Sequence, residues 1–238
     1  MPVQTFLKEI GGKSVVDQIV DNITNAIINE QLKPGDKIPT ENELCASMGV
    51  ARNSVREAIK ILVAYGVLTI KRAEGTFVNQ GFDSKMLYPV LYGIILQKDS
   101  AKQIVELRKV IDAGIFQLAM EKLDLDSLHK VEQAMEALEQ KIAEENMDAN
   151  AIFEADTAFH MVLVAITQNA LLEGICSYID QITKKSRLKA TEKFINENAT
   201  QQFLLMHREM VRVLKEKDRT KINEVVETHY QYWEKVTG

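Results

Sequence analysis

The sequence contains only two cysteines, Cys45 and Cys176, among 238 residues. Two isolated cysteines cannot form a disulfide framework, so both are predicted to be buried thiols in a reducing compartment, with a catalytic cysteine as the alternative. No apolar run approaches the ~20 residues that cross a membrane as a helix. The first residues, MPVQTFLKEIGGKS, lack the apolar stretch of a signal peptide. These absences predict a cytoplasmic protein with no membrane partner.

The sequence also lacks the excess of positive charge that is common in nucleic-acid-binding proteins, since its net charge is −5. Residues 1–80 contain nine Lys/Arg and nine Asp/Glu, so residues 81–238 carry the whole negative excess. Between residues 52 and 72 there are five basic side chains and a single acidic one, Glu57. A small basic patch on an acidic protein predicts weak non-specific DNA binding, with recognition left to a few contacts.

Proline and glycine are scarce, with four and eleven residues, and apolar residues at helical spacing dominate the sequence beyond Pro89. The helices predicted in this part cover residues 85–97, 100–122, 124–145, 149–168, 170–194, 198–216 and 218–236. No strand pattern interrupts them. Residues 85–238 are therefore predicted to form an antiparallel all-α bundle of six to seven helices, a fold that places ligand sites between facing helices.

The first 80 residues show a different order of elements. Helices are predicted over residues 14–31, 40–48 and 53–65, and a β-hairpin is predicted over residues 67–78. Thr40 and Glu43 form a capping box for the second helix, and Gly49 allows a tight turn after it. The fold class is therefore mostly α, with an N-terminal winged helix-turn-helix domain over residues 1–80 and a linker over residues 79–84 before the bundle.

The third predicted helix begins with two arginines four residues apart, Arg52 and Arg56. A recognition helix enters the major groove with its N-terminus first, so its early side chains meet base edges. Arginine can donate hydrogen bonds to guanine O6 and N7 at the same time, a contact that discriminates against other bases by ~1–3 kcal/mol. The other candidate contacts to bases or phosphates are Asn53, Ser54, Lys71 and Arg72. An ordinary solvated helix with two surface arginines is the alternative, which the preceding turn and the following hairpin disfavour.

Three of the four histidines lie on the apolar stripe of their own predicted helix, and the stretch DTAFH adds an aspartate one turn before one of them. These inward residues are Asp156, His160, His207 and His229, whereas His129 lies off its stripe and is predicted to be exposed. A buried polar group is costly without a partner, so a single such histidine is more often a satisfied core imidazole. Together the four can instead supply an N₃O ligand set for a divalent metal ion, with zinc as the first candidate and nickel or manganese as alternatives.

Residues 14–79 resemble, almost without gaps, the DNA-binding domain of the GntR family of bacterial transcription regulators. The family's pattern consists of a proline-glycine turn, a P-[ST]-E-x-x-L helix, a V-x-R-x-x-V-R-E-A recognition helix and a G-T-F-V wing. The matching segments are Pro34-Gly35, Pro39 to Leu44, Val50 to Ala58, and Gly75 to Val78. This resemblance implies that Gly75 and Thr76 of the wing also contact DNA.

Three positions depart from the pattern of that family. Asn42, a candidate DNA contact, stands where the family usually has arginine, which removes one base or phosphate contact. Ala51 replaces the usual serine or threonine, so a helix cap typically worth ~1 kcal/mol is lost together with a phosphate bond. Ala73 occupies a wing position that is often glycine. These departures put the family's usual operator sequence in question, rather than DNA binding itself.

Residues 100–235 resemble the all-helical effector domain of the FadR-like subfamily of GntR regulators. The matching motifs are E-L-R at residues 106–108, D-x-x-F-H at residues 156–160, an asparagine-leucine step at residues 169–172 and two later single histidines. In many members the aspartate and the three histidines bind a divalent metal ion, which implies that role for Asp156, His160, His207 and His229. The resemblance also implies an effector contact for Arg108, with a salt bridge to Asp112 as the alternative, and makes Asn169 a further candidate.

These observations predict a homodimeric transcription regulator, a repressor, that is not an enzyme. Its dimer would bind a short palindromic operator in double-stranded DNA, and a small carboxylic acid bound at the metal would change its affinity for that operator. In one alternative the metal itself is the signal or is purely structural. In another, the protein is a hydrolase with a metal-activated water, although no carboxylate or histidine is left clearly placed as its general base.

Overall fold

The computed structural model describes residues 13–97 and 100–237; residues 1–12, residues 98–99 and Gly238, which the predicted domains include, lie outside the described residues. The chain divides into two compact units, with the boundary between Pro89 and Val90. The predicted linker, residues 79–84, lies shortly before this boundary. The fold class is confirmed, with a winged helix-turn-helix in the N-terminal unit and helices in the C-terminal unit.

In the N-terminal unit, three helices precede a two-stranded hairpin. The elements are α1 (Val15–Ile28), α2 (Glu41–Met48), α3 (Arg52–Ala64), β1 (Leu68–Lys71) and β2 (Gly75–Val78). The strands are antiparallel with Leu68 opposite Val78, and Lys37 forms an isolated bridge with Phe77. This order of elements confirms the predicted winged helix-turn-helix.

The residues between α1 and α3 determine where α2 and α3 begin. Thr40 and Glu43 form the predicted capping box of α2, in which each side chain bonds the other residue's backbone N–H. The helix ends at Gly49, whose φ of 66° lies in the left-handed region. Ala51 precedes α3 without a side-chain cap. The recognition helix therefore begins without the ~1 kcal/mol that a capping side chain supplies.

Apolar residues from the helices and the hairpin form the core of this unit. Its buried members are Ile19, Ile23, Ile38, Leu44, Val55, Ala58, Ile59, Leu62, Leu68 and Val78. The residues on α1 and α3 recur at helical spacing, so each helix buries one face and exposes the other. Cys45 is only half-buried, contrary to the prediction, because Leu44 is the one buried residue of the short α2. Cys176, in the other unit, is buried as predicted.

The seven predicted helical segments after the hairpin each correspond to a helix in the described residues. These helices are α4 (Tyr88–Ile95), α5 (Ser100–Lys122), α6 (Leu125–Ala143), α7 (Ala149–Ile166), α8 (Ala170–Asn196), α9 (Thr200–Glu216) and α10 (Ile222–Thr237). Short 3₁₀ turns, Ser84–Leu87 and Arg219–Lys221, precede α4 and α10. Side chains of Asp124, Asp148 and Asn169 cap the N-termini of α6, α7 and α8.

Helix α7 lies in the interior of the helical unit, where it packs against α5, α6 and α8. By length and composition it is also the one helix among the described residues that could cross a membrane, and 44% of it is buried inside the fold. Among the buried residues of α7 are two polar ones, Asp156 and His160. A core helix that buries a carboxylate and an imidazole requires polar partners from its neighbours.

Candidate metal, effector and DNA-binding sites

Three helices bring the four predicted metal ligands together. Asp156 and His160 lie one turn apart on α7, His207 lies on α9 and His229 lies on α10. One ligand atom from each residue lies within 4.8 Å of the other three. His129 is exposed on α6, as predicted, and is not part of the cluster. Three imidazole nitrogens and one carboxylate oxygen suit zinc and other first-row divalent ions.

Hydrogen bonds orient the His207 ring within this cluster. Its Nδ1 lies 2.8 Å from the backbone carbonyl oxygen of Phe203, which can only accept, so Nδ1 donates. Its Nε2 lies 2.8 Å from Asp156 Oδ1. A neutral imidazole would therefore direct a lone pair at a carboxylate oxygen, a repulsion that a cation or a proton between them relieves. Metal-ligating histidines typically donate their second nitrogen to a carbonyl in this way.

Two further ring nitrogens of the cluster, His160 Nε2 and His229 Nδ1, are buried without a hydrogen-bond partner. His160 Nε2 lies 3.5 Å from Asp156 Oδ1, which is long for a hydrogen bond. A buried polar atom without a partner costs about 1–3 kcal/mol. A group that satisfied both nitrogens at once would stabilise the fold, and a divalent metal ion fits this donor set.

Burial and neighbouring charges set the protonation of two members of the cluster. Burial alone would raise the pKa of the Asp156 carboxyl, but His160, His207 and Arg187 outweigh it and hold that pKa well below its usual value. Burial, reinforced by the two other histidines of the cluster, lowers the pKa of His229 well below its usual value. An ionised carboxylate beside a neutral imidazole is the state that metal coordination requires.

A chain of buried ion pairs connects the metal-ligand cluster to Arg108. Arg187 on α8 donates to Asp156 Oδ2 at 2.7 Å and to Asp180 Oδ1 at 2.6 Å. Arg108 on α5 donates to the same Asp180 oxygen at 2.8 Å and to Asp112 Oδ1 at 3.1 Å. The salt bridge to Asp112, which was the alternative role for Arg108, is therefore present. It is extended by Asp180 into a network that reaches a predicted metal ligand.

A cavity of about 40 Å³ lies beside the metal-ligand cluster. Its lining consists of Arg108, Asp156, His160, Arg187, Ala190, Thr191, Phe194, Phe203, His229, Tyr230 and Trp233. Since one water molecule needs about 10–15 Å³ of such space, the cavity has room for a few waters or for part of a short organic acid. Arg108 thus faces this cavity while it bridges to Asp112, whose other oxygen accepts a hydrogen bond from Tyr230.

Asp180 and Arg187 are candidate functional residues that the sequence patterns had not indicated. A signal for them does exist, because Asp180, Arg187 and the buried Phe194 are spaced seven residues apart and so share one face of α8. Asn169, the further effector candidate, caps α8 by accepting hydrogen bonds from the backbone N–H groups of Leu171 and Leu172. It does not belong to the lining of the cavity.

In the N-terminal unit, the predicted DNA contacts on α2 and α3 are mostly accessible. Arg52, Asn53 and Arg56 at the start of α3 are exposed, Ser54 is half-buried, and Asn42 on α2 is exposed. Since α3 turns its apolar face inward, these side chains lie outside the core. The start of the helix is therefore available to base edges and phosphates.

The hairpin carries the remaining predicted contacts. Lys71 and Arg72 are exposed, and Gly75 and Thr76 are half-buried. These four residues and Glu41 belong to the lining of one surface groove between the hairpin and the start of α2. Gly75 has a φ of 129°, a conformation that residues with a Cβ rarely adopt, so glycine is favoured at this position of the wing; a Cβ there would also displace the end of the flexible Lys37 side chain. The wing turn and the recognition helix both belong to the compact N-terminal unit.

Glu41, at the start of α2, connects the two arginines of the recognition helix. Its Oε2 accepts from Arg52 Nε at 3.0 Å and its Oε1 accepts from Arg56 Nε at 3.2 Å. The hydrogen bond from Arg52 is the largest influence on Glu41 and lowers the pKa of its carboxyl. Each arginine thereby uses Nε for the carboxylate, which leaves its terminal nitrogens for a guanine edge. The sequence patterns had not indicated a role for Glu41.

A winged helix-turn-helix with exposed arginines, followed by a helical unit with a cavity that charged side chains help to line, is typical of a DNA-binding regulator with an effector domain. Residues 15–78 match the family described as bacterial regulatory proteins, gntR family, and residues 103–232 match the FCD domain. The chain belongs to the GntR family of bacterial transcription regulators and carries an FCD effector domain. Regulators of this kind bind DNA and, through the FCD domain, small-molecule effectors; they are not enzymes.

Several bacterial proteins to which the chain is similar are also transcription regulators by name. The HTH-type transcriptional regulator LutR of Bacillus subtilis (strain 168) is 31% identical over 156 residues, which cover 66% of this chain and 69% of that protein. The putative L-lactate dehydrogenase operon regulatory protein of Escherichia coli (strain K12) is 28% identical, covering 72% of this chain and 67% of that protein. The galactonate operon transcriptional repressor of the same organism is 27% identical, covering 71% and 73%.

A solved structure of similar fold is that of Streptococcus agalactiae GntR. It is 22% identical, covers 92% of this chain and 98% of its own, and superposes with a TM-score of 0.54. At this identity the likeness concerns the fold alone.

Proposed function

We propose that this regulator is a repressor whose affinity for its operator is set by a small organic acid bound at a divalent metal ion in the helical unit. The observation that carries the proposal is the meeting of four ligand atoms within 4.8 Å of one another beside a cavity that two arginines also line. Arginines next to a metal are suited to hold an acid that the metal also coordinates.

Asp156, His160, His207 and His229 would hold the metal, with zinc as the first candidate and nickel or manganese as alternatives. When bound, the metal would supply a Lewis acid that coordinates an oxygen of the acid. Four protein ligands leave up to two positions of an octahedral ion for the acid. In this proposal Arg108, which the sequence predicted as an effector contact, and Arg187, which also lines the cavity, both bind the acid.

The names of two relatives agree with an acid as the effector. One refers to an L-lactate dehydrogenase operon and the other to a galactonate operon. Lactate and galactonate are both hydroxycarboxylic acids, whose carboxylate and hydroxyl oxygens can coordinate one metal ion together. The small cavity favours a short acid for this chain.

The DNA-reading part of the proposal rests on the exposed N-terminus of α3 and on the wing. Arg52 and Arg56 would contact bases, with further contacts from Asn42, Asn53, Ser54, Lys71, Arg72, Gly75 and Thr76. A homodimer would present two recognition helices to a short palindrome in double-stranded DNA. We assign DNA reading to residues 1–80 and effector binding with dimerisation to residues 85–238, in a protein that acts in the cytoplasm without a membrane partner.

The test is operator binding with the metal and the acid varied independently. An operator is selected from random duplex DNA, and its binding is followed by fluorescence anisotropy with metal-loaded protein, chelator-treated protein and a panel of carboxylic acids. We expect an acid to weaken operator binding only when metal is present. His207→Gln should abolish that response, whereas the exposed His129→Gln should retain it. An acid response that survives both chelation and His207→Gln would contradict the proposal.

One observation favours a second candidate, in which the metal is the signal or is purely structural. Arg108 is already bonded to Asp112 and Asp180, so it does not need an acid as a partner. In that case chelation would abolish operator binding, and no carboxylic acid of the panel would change it. The same anisotropy experiment distinguishes the two candidates.

A further inference from the structure

The buried charges of the helical unit belong to a single network. Among the residues that the structure describes, the buried charged residues other than histidine are Arg108, Asp112, Asp156 and Asp180. Arg187, with 11% of its side chain exposed, bonds two of them. Buried charges are stable only when their partners balance them. The net charge of this network therefore determines which net charge a ligand bound beside it can carry.

The formal charge of this buried network can be counted from its hydrogen bonds. Two arginines and three aspartates give a net charge of −1. Tyr230 donates to Asp112, so it carries its proton and adds no charge. Histidines that ligate a metal are neutral. A divalent ion in the cluster of Asp156, His160, His207 and His229 therefore changes the net charge to +1.

From this count we propose that the buried network selects acids of a single negative charge, and that Asp180 is the residue that determines this specificity. The inference rests on the proposed function, since it requires an acid at the metal. A monocarboxylate neutralises the metal-loaded network, whereas a dicarboxylate leaves an excess negative charge in the interior.

Asp180 determines the specificity because it stands between the two arginines that line the cavity. Its Oδ1 accepts from Arg108 at 2.8 Å and from Arg187 at 2.6 Å. It cancels one of the two positive charges without being one of the predicted metal ligands. Asparagine at this position keeps an oxygen for both arginines but removes the negative charge, so the metal-loaded network would carry +2 and accept a dianion.

The shape of the metal-bound site restricts the acid further. If the four residues held an octahedral ion, up to two positions would remain, and these would favour an acid that supplies two oxygens over one that supplies a single oxygen. A cavity of about 40 Å³ restricts the carbon chain that accompanies them. The class that satisfies charge, coordination and size together is the short 2-hydroxy or 2-oxo monocarboxylic acid.

The experiment is calorimetric titration of the full-length, zinc-loaded protein with three acids of three carbons each. Glycerate is a 2-hydroxy monoanion, propionate is a monoanion without the second oxygen, and tartronate is a 2-hydroxy dianion of similar size. We expect glycerate to bind about tenfold or more tightly than either of the others. In Asp180→Asn the ratio of glycerate to tartronate affinity should fall by about tenfold or more, and in Asp180→Glu, which keeps the charge, it should not.

The outcomes separate this inference from the proposed function. Wild-type protein that binds tartronate as tightly as glycerate overturns the charge selection but leaves an acid-responsive regulator intact. A ratio that Asp180→Asn and Asp180→Glu change equally would assign the effect to geometry and would also overturn it. Binding of none of the three acids by protein shown to contain zinc overturns this inference, whereas the response of operator binding to the wider panel of acids decides the proposed function. If Asp180→Asn does not fold, the wild-type series alone decides the charge preference.

Discussion

Trp233 is the single tryptophan of the chain, and its indole lies on the wall of the cavity beside His229. The indole is tilted against the ring of Tyr230, with 5.5 Å between their centroids, so it is sensitive to movement in α10. We expect chelation of the metal to change the intrinsic fluorescence, because His229, one turn away, would lose the metal ion that it is proposed to coordinate. Adding the metal again, or the right acid, should change it once more.

The control for this fluorescence prediction is His129→Gln, in which the response to the chelator should be unchanged. A spectrum that does not respond to the chelator, in protein shown by elemental analysis to contain metal, would count against His229 as a ligand.

Ala73 in the wing has a φ of +64°, in the left-handed region that disfavours any residue with a Cβ. This conformation costs alanine ~1–2 kcal/mol, a cost that glycine does not have. Glycine loses more conformational entropy on folding, however, so the replacement recovers only part of that free energy. Ala73→Gly should therefore stabilise the N-terminal unit by about 0.5–1 kcal/mol, measured as a higher midpoint in urea.

The matched control for Ala73→Gly is Ala46→Gly at an exposed position inside α2, where the same substitution should cost about 1 kcal/mol. Destabilisation by both substitutions would show that the wing turn is not strained at Ala73.

At the scale of elements, the boundaries of the helices could be predicted because their signals are local. The capping box of Thr40 and Glu43, the left-handed Gly49 and the missing cap at Ala51 are all visible in a few consecutive residues. The inward stripes that carry Asp156, His160, His207 and His229 follow from helical spacing. Helical spacing therefore predicted that these four side chains face inward, and the resemblance to the effector domain predicted that they meet. The structure brings one ligand atom of each within 4.8 Å of the others, and metal binding there stays a prediction.

Helix α8 shows what the sequence could not provide. Spacing places Asp180 and Arg187 on the same face of α8 as the buried Phe194, but it does not indicate which residues of other helices they pair with. Their partners are distant in sequence, with Arg108 72 residues before Asp180 and Asp156 31 residues before Arg187. Ion pairs between separate helices depend on how the helices pack, and no short motif encodes that packing.

Glu41 on α2 accepts hydrogen bonds from both arginines of the recognition helix α3. The orientation of these arginines therefore depends on how α2 and α3 pack together. Glu41→Gln should lower the affinity for the specific operator by up to about tenfold, because the arginines lose the carboxylate that orients them. It should also raise the affinity for random DNA slightly, because it removes one negative charge near the phosphates. Both affinities can be measured by anisotropy at one salt concentration.

Glu57→Gln on α3 removes the same charge from an exposed glutamate and serves as the control for Glu41→Gln. It should leave the specificity ratio nearly unchanged. An equal loss of specificity in both variants would mean that charge alone, and not orientation of the arginines, is responsible.

For the whole molecule, the proposed dimer needs an apolar surface, and α5 has one. Leu107 is 43% exposed and Val110 is 73% exposed on the same face of this helix. A charge buried at a subunit interface is strongly destabilising without a partner. Val110→Glu should therefore shift the protein toward monomer in sedimentation velocity and weaken operator binding by more than about tenfold, since two linked recognition helices bind with avidity.

Leu125→Glu places the same charge at an exposed leucine at the start of α6, where 86% of the residue is accessible, and should leave the dimer intact. If both variants sediment as the wild type does, the face of α5 is not the dimer interface.

The carboxylate of Asp156 has two oxygens with different partners, one toward His207 and one toward Arg187. One side chain is thus shared between the proposed metal site and the arginines proposed to receive the acid. Thermodynamic linkage then works in both directions: by whatever factor the metal raises the affinity for the acid, the acid raises the affinity for the metal. A cell rich in the proposed acid would keep this regulator metallated even when free metal is scarce, so the acid would protect the sensor from metal starvation.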